Sequence, residues 1–226
     1  MEDTLDNPMW SAAISGSSQY AQGTATAKYF DRTMSVFVAL PAYDKEHFDQ
    51  LAAITPAEAP AVFFVPHKIR IPDNWQTVVE RELLQMTYEL APPPAEDITD
   101  LVLLQDEHIP AMTELTSLTK PGPWLPRTID FGHYEGIFEG RQLVAMCGQR
   151  LQPDPWTELS AVCVHPDHLG KGYAKRLIRN QLRHIAATGR KPMLHLYQDN
   201  ISACRLYERA GFHTRREMIV YMLKKK

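Results

Sequence analysis

The feature that most restricts the fold of this chain is a glycine-rich turn between an apolar segment and an amphipathic one. Residues 158–164 have the composition of a buried strand, and residues 172–188 repeat apolar side chains at helical spacing. Gly170 lies between the two segments, and Gly172 begins the second. A strand, a tight turn and a helix in this order favour an α/β fold. The first amides of such a helix lack internal partners, so the turn also predicts a site for a phosphate group.

A second motif follows the next predicted strand, at residues 193–197. Asn200 or Ser202 has the side-chain type that caps a helix, and Gly211 is the residue type that ends one. The spacing places the apolar members of this helix on one face, together with Tyr207. The motif comprises Asn200, Ala203, Leu206, Tyr207, Gly211 and Phe212.

Further elements are predicted around these motifs. Residue patterns indicate strands at 133–138, 142–151 and 217–223, and a helix at 109–118 with Pro110 in its first turn. Because a hairpin and strand–helix–strand units occur together, we expect an α/β fold of the α+β kind, with a mixed sheet.

Three consecutive prolines, at residues 92–94, mark a boundary in the chain, because such a run cannot continue a helix and favours an extended spacer. The sequence therefore predicts an N-terminal domain of mixed α/β structure, residues 1–94, and a C-terminal domain, residues 95–226. In the N-terminal domain the apolar runs 34–40 and 61–65 predict buried strands.

One helix is also predicted before the prolines. Trp75, Val79, Leu83, Met86 and Leu90 recur every three or four residues, which indicates an apolar helix face starting near residue 73. No catalytic group of residues is recognisable in this half. It is therefore expected to pack and shape the protein, with the alternative that it lines part of a substrate cleft.

Composition excludes several classes of function. The chain has 226 residues, a net charge of −3 and a pI of about 6.3, which gives no reason to expect nucleic acid or an anionic membrane as a partner. Its three cysteines form no CxxC pair, so we expect a reduced, cytoplasmic protein. The acidic start of the sequence and its short apolar runs predict neither a signal peptide nor a membrane span. His165 and His168 lack the companion ligands of a metal site, so no metal is expected.

Together, the two motifs resemble those of the GNAT superfamily of N-acetyltransferases. The family pattern is Gln or Arg, two residues, Gly, one residue, then Gly or Ala, and Leu169, Gly172 and Ala174 stand at these positions. Leu169 departs from the usual polar residue, but this change does not affect the backbone amides of the turn that would bind the phosphate. The second motif matches the family segment Asn-x-x-Ala-x-x-Leu-Tyr-x-x-x-Gly-Phe. The resemblance covers about the last 130 residues, and the whole chain is similar to two-domain members of the glycine N-acyltransferase-like group.

This resemblance implies a C-terminal GNAT fold that binds acetyl-CoA as co-substrate. The pantetheine arm would pair with the backbone at Val162 and Val164, one strand amide would face the thioester carbonyl, and Asn200 would bond the pantetheine amides. The backbone of the glycine turn would hold the diphosphate. The expected cofactor-binding residues are Val162, Cys163, Val164, Leu169, Gly170, Lys171, Gly172, Tyr173, Ala174, Lys175, Asn200 and Ala203.

The resemblance also implies two catalytic residues. Tyr207 matches the family's general acid, which protonates the leaving thiolate. Glu158 stands where some members carry a glutamate that takes the proton of the attacking amine, directly or through water. Glu135 is a lower-ranked candidate for that base.

The expected function is the transfer of an acetyl group from acetyl-CoA to a primary amine of an unidentified small molecule or peptide, in one ternary complex. The alternative is a non-catalytic acyl-CoA-binding regulatory module with the same fold. Trp124, the proline-rich loop before it and Tyr134 are expected walls of the acceptor cleft. No metal, nucleic acid or membrane partner is expected, and a homodimer is compatible with the family.

Overall fold

The computed structural model describes residues 3–95 and 99–226. The α-helices within these ranges are α1 (Pro8–Ile14), α2 (Lys45–Ile54), α3 (Ile109–Thr119), α4 (Tyr173–Ala187) and α5 (Ile201–Ala210). The strands within them are β1 (Ala21–Gly23), β2 (Lys28–Phe30), β3 (Val38–Ala39), β4 (Ala61–Val65), β5 (Trp75–Thr87), β6 (Leu101–Leu103), β7 (Glu135–Glu139), β8 (Gln142–Gln149), β9 (Trp156–Val164), β10 (Lys191–Tyr197) and β11 (His213–Lys225).

Within the described chain, eight of these strands form one sheet in the order β4-β11-β5-β10-β9-β8-β7-β6. Strands β9 and β10 run parallel, and their other pairings in the sheet are antiparallel. A smaller sheet has the order β1-β2-β3. The mixed sheet confirms the predicted fold class.

Helices α4 and α5 cover one face of the large sheet. Leu177 and Ile178 of α4 pack with Leu194 and Leu196 of β10 and with Tyr207 of α5. Side chains alternate between faces along a strand, so His195 lies on the opposite face. The sheet therefore has an α4/α5 face and an opposite face, which are distinguished below.

The helix predicted from residue 73 onward is wrong, because this segment forms the long strand β5. Trp75, Val79 and Leu83 are four residues apart, and this spacing puts them on one face of a helix and also on one face of a strand. The β-branched residues Thr77, Val78 and Val79 favour the strand. Pairing with β11 on one side and β10 on the other decides the outcome.

Strand β5 joins the two halves of the chain in one sheet. It comes from the N-terminal half, yet it lies between β10 and β11 of the C-terminal half. The predicted boundary at residues 94 and 95 adjoins residues 96–98, which lie outside the described residues. The 1–94 and 95–226 division remains a prediction, and the sheet itself crosses it.

The other predicted elements agree with the structure in position. Helices α3, α4 and α5 and strands β4 and β7–β11 lie where the sequence indicates, within a few residues at their ends. Of the run 34–40, only Val38–Ala39 pairs as a strand, although Phe37 and Leu40 are also buried. In the described ranges, no helix combines the length and apolar character that a membrane crossing requires.

Candidate active site

Strands β9 and β10 separate partway along their length and open a wedge in the sheet. Their parallel pairing runs from Lys191 opposite Trp156 to Met193 opposite Glu158 and stops there. Beyond this point, residues 159–164 continue as part of β9 without pairing to β10. The wedge therefore has one strand edge that is open to a ligand.

The backbone amides of Val162 and Val164 face this open edge. The amide of His165 donates to the carbonyl of Val144 on β8, at 2.7 Å, so it faces the paired edge. Successive residues of a strand face opposite edges, and the amides of Val164 and Val162 consequently face the wedge. A bulge at Ala161, whose φ is +52°, shifts the register against β8 and sets this orientation.

A cavity of about 370 Å³ fills the wedge. Residues of β9 and β10 form its sides. Asn200, the N-cap of α5, and Ala203 and Tyr207 of α5 close it on the α4/α5 face. On the opposite face it reaches residues 119–123 and apolar side chains of the N-terminal half, among them Phe37 and Phe64. The alternative that the N-terminal half lines a cleft therefore agrees with the structure.

Tyr207 lies where the wedge cavity meets α5. Its ring packs edge-on against Phe212, with ring centroids 5.8 Å apart. Within the described residues its hydroxyl has no hydrogen-bond partner, and the residue lines the cavity. Burial raises the pKa of Tyr207 far above its usual value, so the phenol stays protonated. A protonated, unengaged hydroxyl can donate to a ligand atom in the wedge.

Glu158 forms a buried ion pair below the cavity. Its carboxylate is fully buried and accepts from Arg150 Nε at 2.8 Å and from Arg150 Nη2 at 2.7 Å. Burial alone would raise the pKa of Glu158, but the charge and hydrogen bonds of Arg150, with a hydrogen bond from His195, lower it to about 2. A carboxylate with so low a pKa is a weak base for an amine. The geometry therefore does not fit direct proton removal by Glu158.

His195 also lines the cavity, but both of its ring nitrogens are engaged. Arg215 Nη1 donates to Gln85 Oε1 at 2.8 Å, and Gln85 Nε2 donates to the Leu5 carbonyl at 2.9 Å. The same Gln85 Nε2 lies 3.0 Å from His195 Nε2, which must accept because an amide nitrogen only donates. The ring proton is therefore on Nδ1, which donates to Glu158 Oε1 at 2.8 Å.

The glycine turn borders a second cavity. Gly170 and Gly172 have φ of +79° and +81°, which a residue with a Cβ adopts only with strain. Gly172 is the N-cap of α4 and provides no side-chain hydrogen bond to the helix. The amides of Tyr173, Ala174 and Lys175, which begin the helix, therefore have no partner within it. Val164 lines both cavities, which makes the turn and the wedge parts of one path.

Two side chains of the turn are held by a carboxylate. Glu139 Oε1 accepts from Lys171 Nζ at 2.8 Å and from the Tyr173 hydroxyl. These hydrogen bonds lower the pKa of Glu139 to about 2. Lys171 therefore keeps Glu139 as its partner at the rim, whereas the exposed Lys175 lines the second cavity directly.

Sequence reasoning missed two arginines in the second cavity. Arg205 and Arg209 of α5 line it together with Ser202. These positions are three and four residues apart, so they share one face of the helix, and that spacing was the signal that could have identified them. With Lys175 they place positive charge around the helix start, which favours a phosphate.

The remaining predicted cofactor residues lie along the same path. Asn200 Oδ1 accepts the Ala203 amide at 3.1 Å and caps α5, which leaves the side-chain nitrogen of Asn200 for a ligand. The thiol of Cys163 is buried, and burial raises its pKa to about 12, so only its backbone can contribute. Leu169 is exposed at the edge of the second cavity.

Three other expected residues lie away from the wedge. Tyr134 is fully buried and packs against Trp124 with ring centroids 5.7 Å apart, and neither lines the cavity. Glu135 accepts from Asn180 at 2.6 Å and Gln181 at 3.1 Å on α4.

In the part of the chain that the structure describes, no group of three or more His, Cys, Asp or Glu side chains could hold a metal ion.

Comparisons with known proteins give several relatives of this chain. The family model for FR47-like protein matches residues 134–220. A crystal structure from Novosphingobium aromaticivorans, described as a GNAT-family acetyltransferase, is 30% identical, with a TM-score of 0.92 and complete coverage of both chains. No curated protein sequence matches this chain.

More distant structures share the fold. A GCN5-related N-acetyltransferase from Kribbella flavida is 15% identical, with a TM-score of 0.63, and the match covers 98% of this chain and 95% of that chain. A GNAT-family acetyltransferase from Colwellia psychrerythraea is 15% identical, with a TM-score of 0.54 and coverage of 98% and 93%. The fold is therefore shared over the full length, including the N-terminal half.

Proposed function

This chain belongs to the GNAT superfamily of N-acetyltransferases, and we propose that it transfers an acetyl group from acetyl-CoA to a primary amine within one ternary complex. The observation that carries this proposal is the open wedge between β9 and β10. Free strand amides, an unengaged tyrosine hydroxyl and a glycine turn before a helix lie along one path there. Each element suits a different part of a thioester of CoA.

The residues fit acetyl-CoA as a co-substrate. The amides at the start of α4, with Lys175, Arg205 and Arg209 nearby, suit the diphosphate. The amides of Val162 and Val164 suit the pantetheine arm, which would add to the edge of β9 as an extra strand. The side-chain nitrogen of Asn200 suits a pantetheine carbonyl.

The transfer step uses the wedge amides and Tyr207. The lone pair of the amine attacks the thioester carbonyl carbon, a carbon–nitrogen bond forms, and the carbon–sulfur bond breaks. A fixed strand amide stabilises the negative charge that develops on the carbonyl oxygen. The departing sulfur, whose free thiol has a pKa of about 8.5, takes the proton of the Tyr207 hydroxyl. The new amide nitrogen gives its proton to water, from which the phenol is reprotonated.

Glu158 has a positioning role in this proposal. It fixes the Arg150 guanidinium and the His195 tautomer at the floor of the cavity. Among the described residues, no carboxylate lines the wedge cavity, and its one imidazole is fully hydrogen-bonded. The amine therefore enters in its neutral form, having lost its proton to solvent.

We also propose that the protein is located in the cytoplasm. In the described chain Cys147, Cys163 and Cys204 are free thiols, and two of them are buried. Free thiols support a reducing compartment such as the cytoplasm.

The test is CoA release from acetyl-CoA in the presence of a panel of primary amines, for the wild-type protein and Tyr207→Phe. We expect amine-dependent release, with the mass of the N-acetyl product confirmed, and a large loss in the variant. Binding of acetyl-CoA without release for any amine would contradict the proposal and indicate an acyl-CoA-binding module instead. Undiminished release by Tyr207→Phe would reject the assignment of the acid.

A further inference from the structure

The wedge cavity continues into an apolar wall on the opposite face of the sheet. Three neighbouring strands contribute to this wall, namely β4, β11 and β5. Phe64 and Val220 face each other across two of them, and Met222 stands opposite both Val62 and Val79. The apolar wall consists of Val62, Phe64, Val79, Leu83, Val220 and Met222.

Aromatic rings close the far side of this wall. The Phe64 ring lies 5.5 Å from the Phe37 ring and 4.8 Å from the His195 ring, between ring centroids. The Arg150 guanidinium lies 4.7 Å from the centroid of Phe37. The side chains of the wall itself are therefore carbon, with the His195 ring and one guanidinium at its edge.

The charge of the cavity excludes ligands with several positive charges. Arg150 and Lys120 are its charged lining residues, and none of the described lining residues is an acid. The charge of Glu158 lies beneath and is already paired with Arg150. A second ammonium group would lose its water and find no counter-charge, which is costly.

The position of the wall assigns it to the acceptor. Tyr207, Asn200 and the glycine turn lie at the α4/α5 face, where the proposed CoA path runs. The thioester would lie in the wedge, so the attacking amine has to approach from the opposite face, where the apolar wall begins.

We propose that the acceptor is a small primary monoamine with an apolar alkyl or aryl body that packs on this wall. The inference rests on the proposed acyl transfer and deepens it. A cavity of about 370 Å³ has to hold the end of the thioester as well, so the acceptor is small. Polyamines, aminoglycosides and lysine-rich peptides are excluded as preferred acceptors.

A chain-length series tests the proposal. For propylamine, butylamine, pentylamine and hexylamine with acetyl-CoA, kcat/KM should rise about fourfold per methylene until the wall is covered. Hexane-1,6-diamine and spermidine should be at least about tenfold slower than hexylamine. Leucine and isopentylamine have the same apolar body and differ by the carboxylate of leucine. The one that is acetylated faster shows whether the acceptor is an amino acid or a simple amine. Preference for a diamine or polyamine would overturn the proposal.

A matched pair of variants locates the binding face. Val79→Asp puts a carboxylate into the half-buried wall, whereas Val78→Asp puts one at the next residue of β5, which is 48% exposed and outside the cavity lining. For Val79→Asp, the ratio of hexane-1,6-diamine to hexylamine kcat/KM should rise by at least about tenfold. It should stay unchanged for Val78→Asp. An unchanged ratio in Val79→Asp would refute the assignment.

Two further outcomes separate this inference from the proposed function. If no amine is acetylated, calorimetry can still compare the affinities of hexylamine and hexane-1,6-diamine for the protein in the presence of CoA. Tighter binding of hexylamine supports the inference about the apolar wall, and tighter binding of the diamine overturns it. If hexanoyl-CoA is a better donor than acetyl-CoA and amine length has no effect, the wall holds the acyl chain and the inference is overturned.

Discussion

Replacing Glu158 by glutamine tests how the floor of the cavity is built. The side chain keeps its shape and loses its charge, which leaves the guanidinium of Arg150 without an anionic partner. Glu158 is fully buried and the side chain of Arg150 is 11% exposed, so solvent cannot replace the lost charge. We therefore expect Glu158→Gln to unfold far more easily than the wild type.

The magnitude follows from the pKa of Glu158, which falls from the ordinary 4.5 to about 2 in the folded protein. This difference of about 2.5 corresponds to roughly 3 kcal/mol of unfolding free energy. Breaking a buried ion pair by removing one partner costs a similar amount, about 3–5 kcal/mol. Both figures describe the loss of the same Arg150–Glu158 ion pair, so we expect a loss of about 3 kcal/mol.

The pH dependence has a definite sign. The folded pKa of Glu158 lies below the unfolded one, so its stabilisation is complete above about pH 4.5 and is lost as the pH falls toward 2. The difference in unfolding free energy between the wild type and Glu158→Gln should therefore be largest at neutral pH and shrink over this window.

Urea unfolding of the wild type, Glu158→Gln, Arg150→Met and the double variant measures the effect and the coupling between the two residues. Glu139→Gln is the matched control, because Glu139 also has a pKa of about 2 but is exposed, and its loss should change stability little. If Glu158→Gln were as stable as the wild type and lost only kcat, Glu158 would be the catalytic base and our reasoning would be refuted.

Four further predictions follow from the site. Tyr207→Phe should lower kcat about 100-fold and leave the melting temperature unchanged. A lower kcat together with a lower melting temperature would indicate that Tyr207 acts through packing. For a given amine, log kcat/KM should rise with a slope of one up to the pKa of that amine, and a break at lower pH would reveal a titrating base on the enzyme. In Gly172→Ala the turn should relax away from φ of +81°, and returning to it on binding costs an alanine about 1 kcal/mol, so KM for acetyl-CoA should rise about fivefold. An unchanged KM would exclude the turn from binding. A fragment of residues 95–226 should show no cooperative unfolding by circular dichroism, because β5 is missing between β10 and β11; a sharp transition would show that the C-terminal half folds alone.

The C-terminal elements were predictable because their signals are local. The helix at residues 172–188 has apolar spacing over many residues, and the glycines at its start require a φ that other residues avoid. The motif from Asn200 to Phe212 carries its own cap and stop. Such signals depend only on neighbours in the sequence, and the structure agrees with them.

The long strand β5 was not predictable from its own residues. A spacing of four is compatible with a helix and with a strand, and the sequence does not state that a gap exists between β10 and β11. Only pairing with partners more than 100 residues away decides between the two.

The function of Glu158 depends on partners that the sequence alone does not identify. Arg150 stands at the end of an apolar run, and a buried cation requires an anionic partner. The sequence does not identify the residue that is this partner. His195 reaches the same carboxylate from β10, and the chain of hydrogen bonds continues through Gln85 to Arg215 and the Leu5 carbonyl. The role of a carboxylate is set by these contacts.

Amide hydrogen exchange with and without saturating CoA tests whether the open edge of β9 and the glycine turn bind the cofactor. We expect slowed exchange at Val162, Val164 and residues 170–175, with little change at the amides of β7. Binding of CoA without slowed exchange at these positions would show that CoA lies elsewhere, and no binding at millimolar CoA would refute the proposed co-substrate.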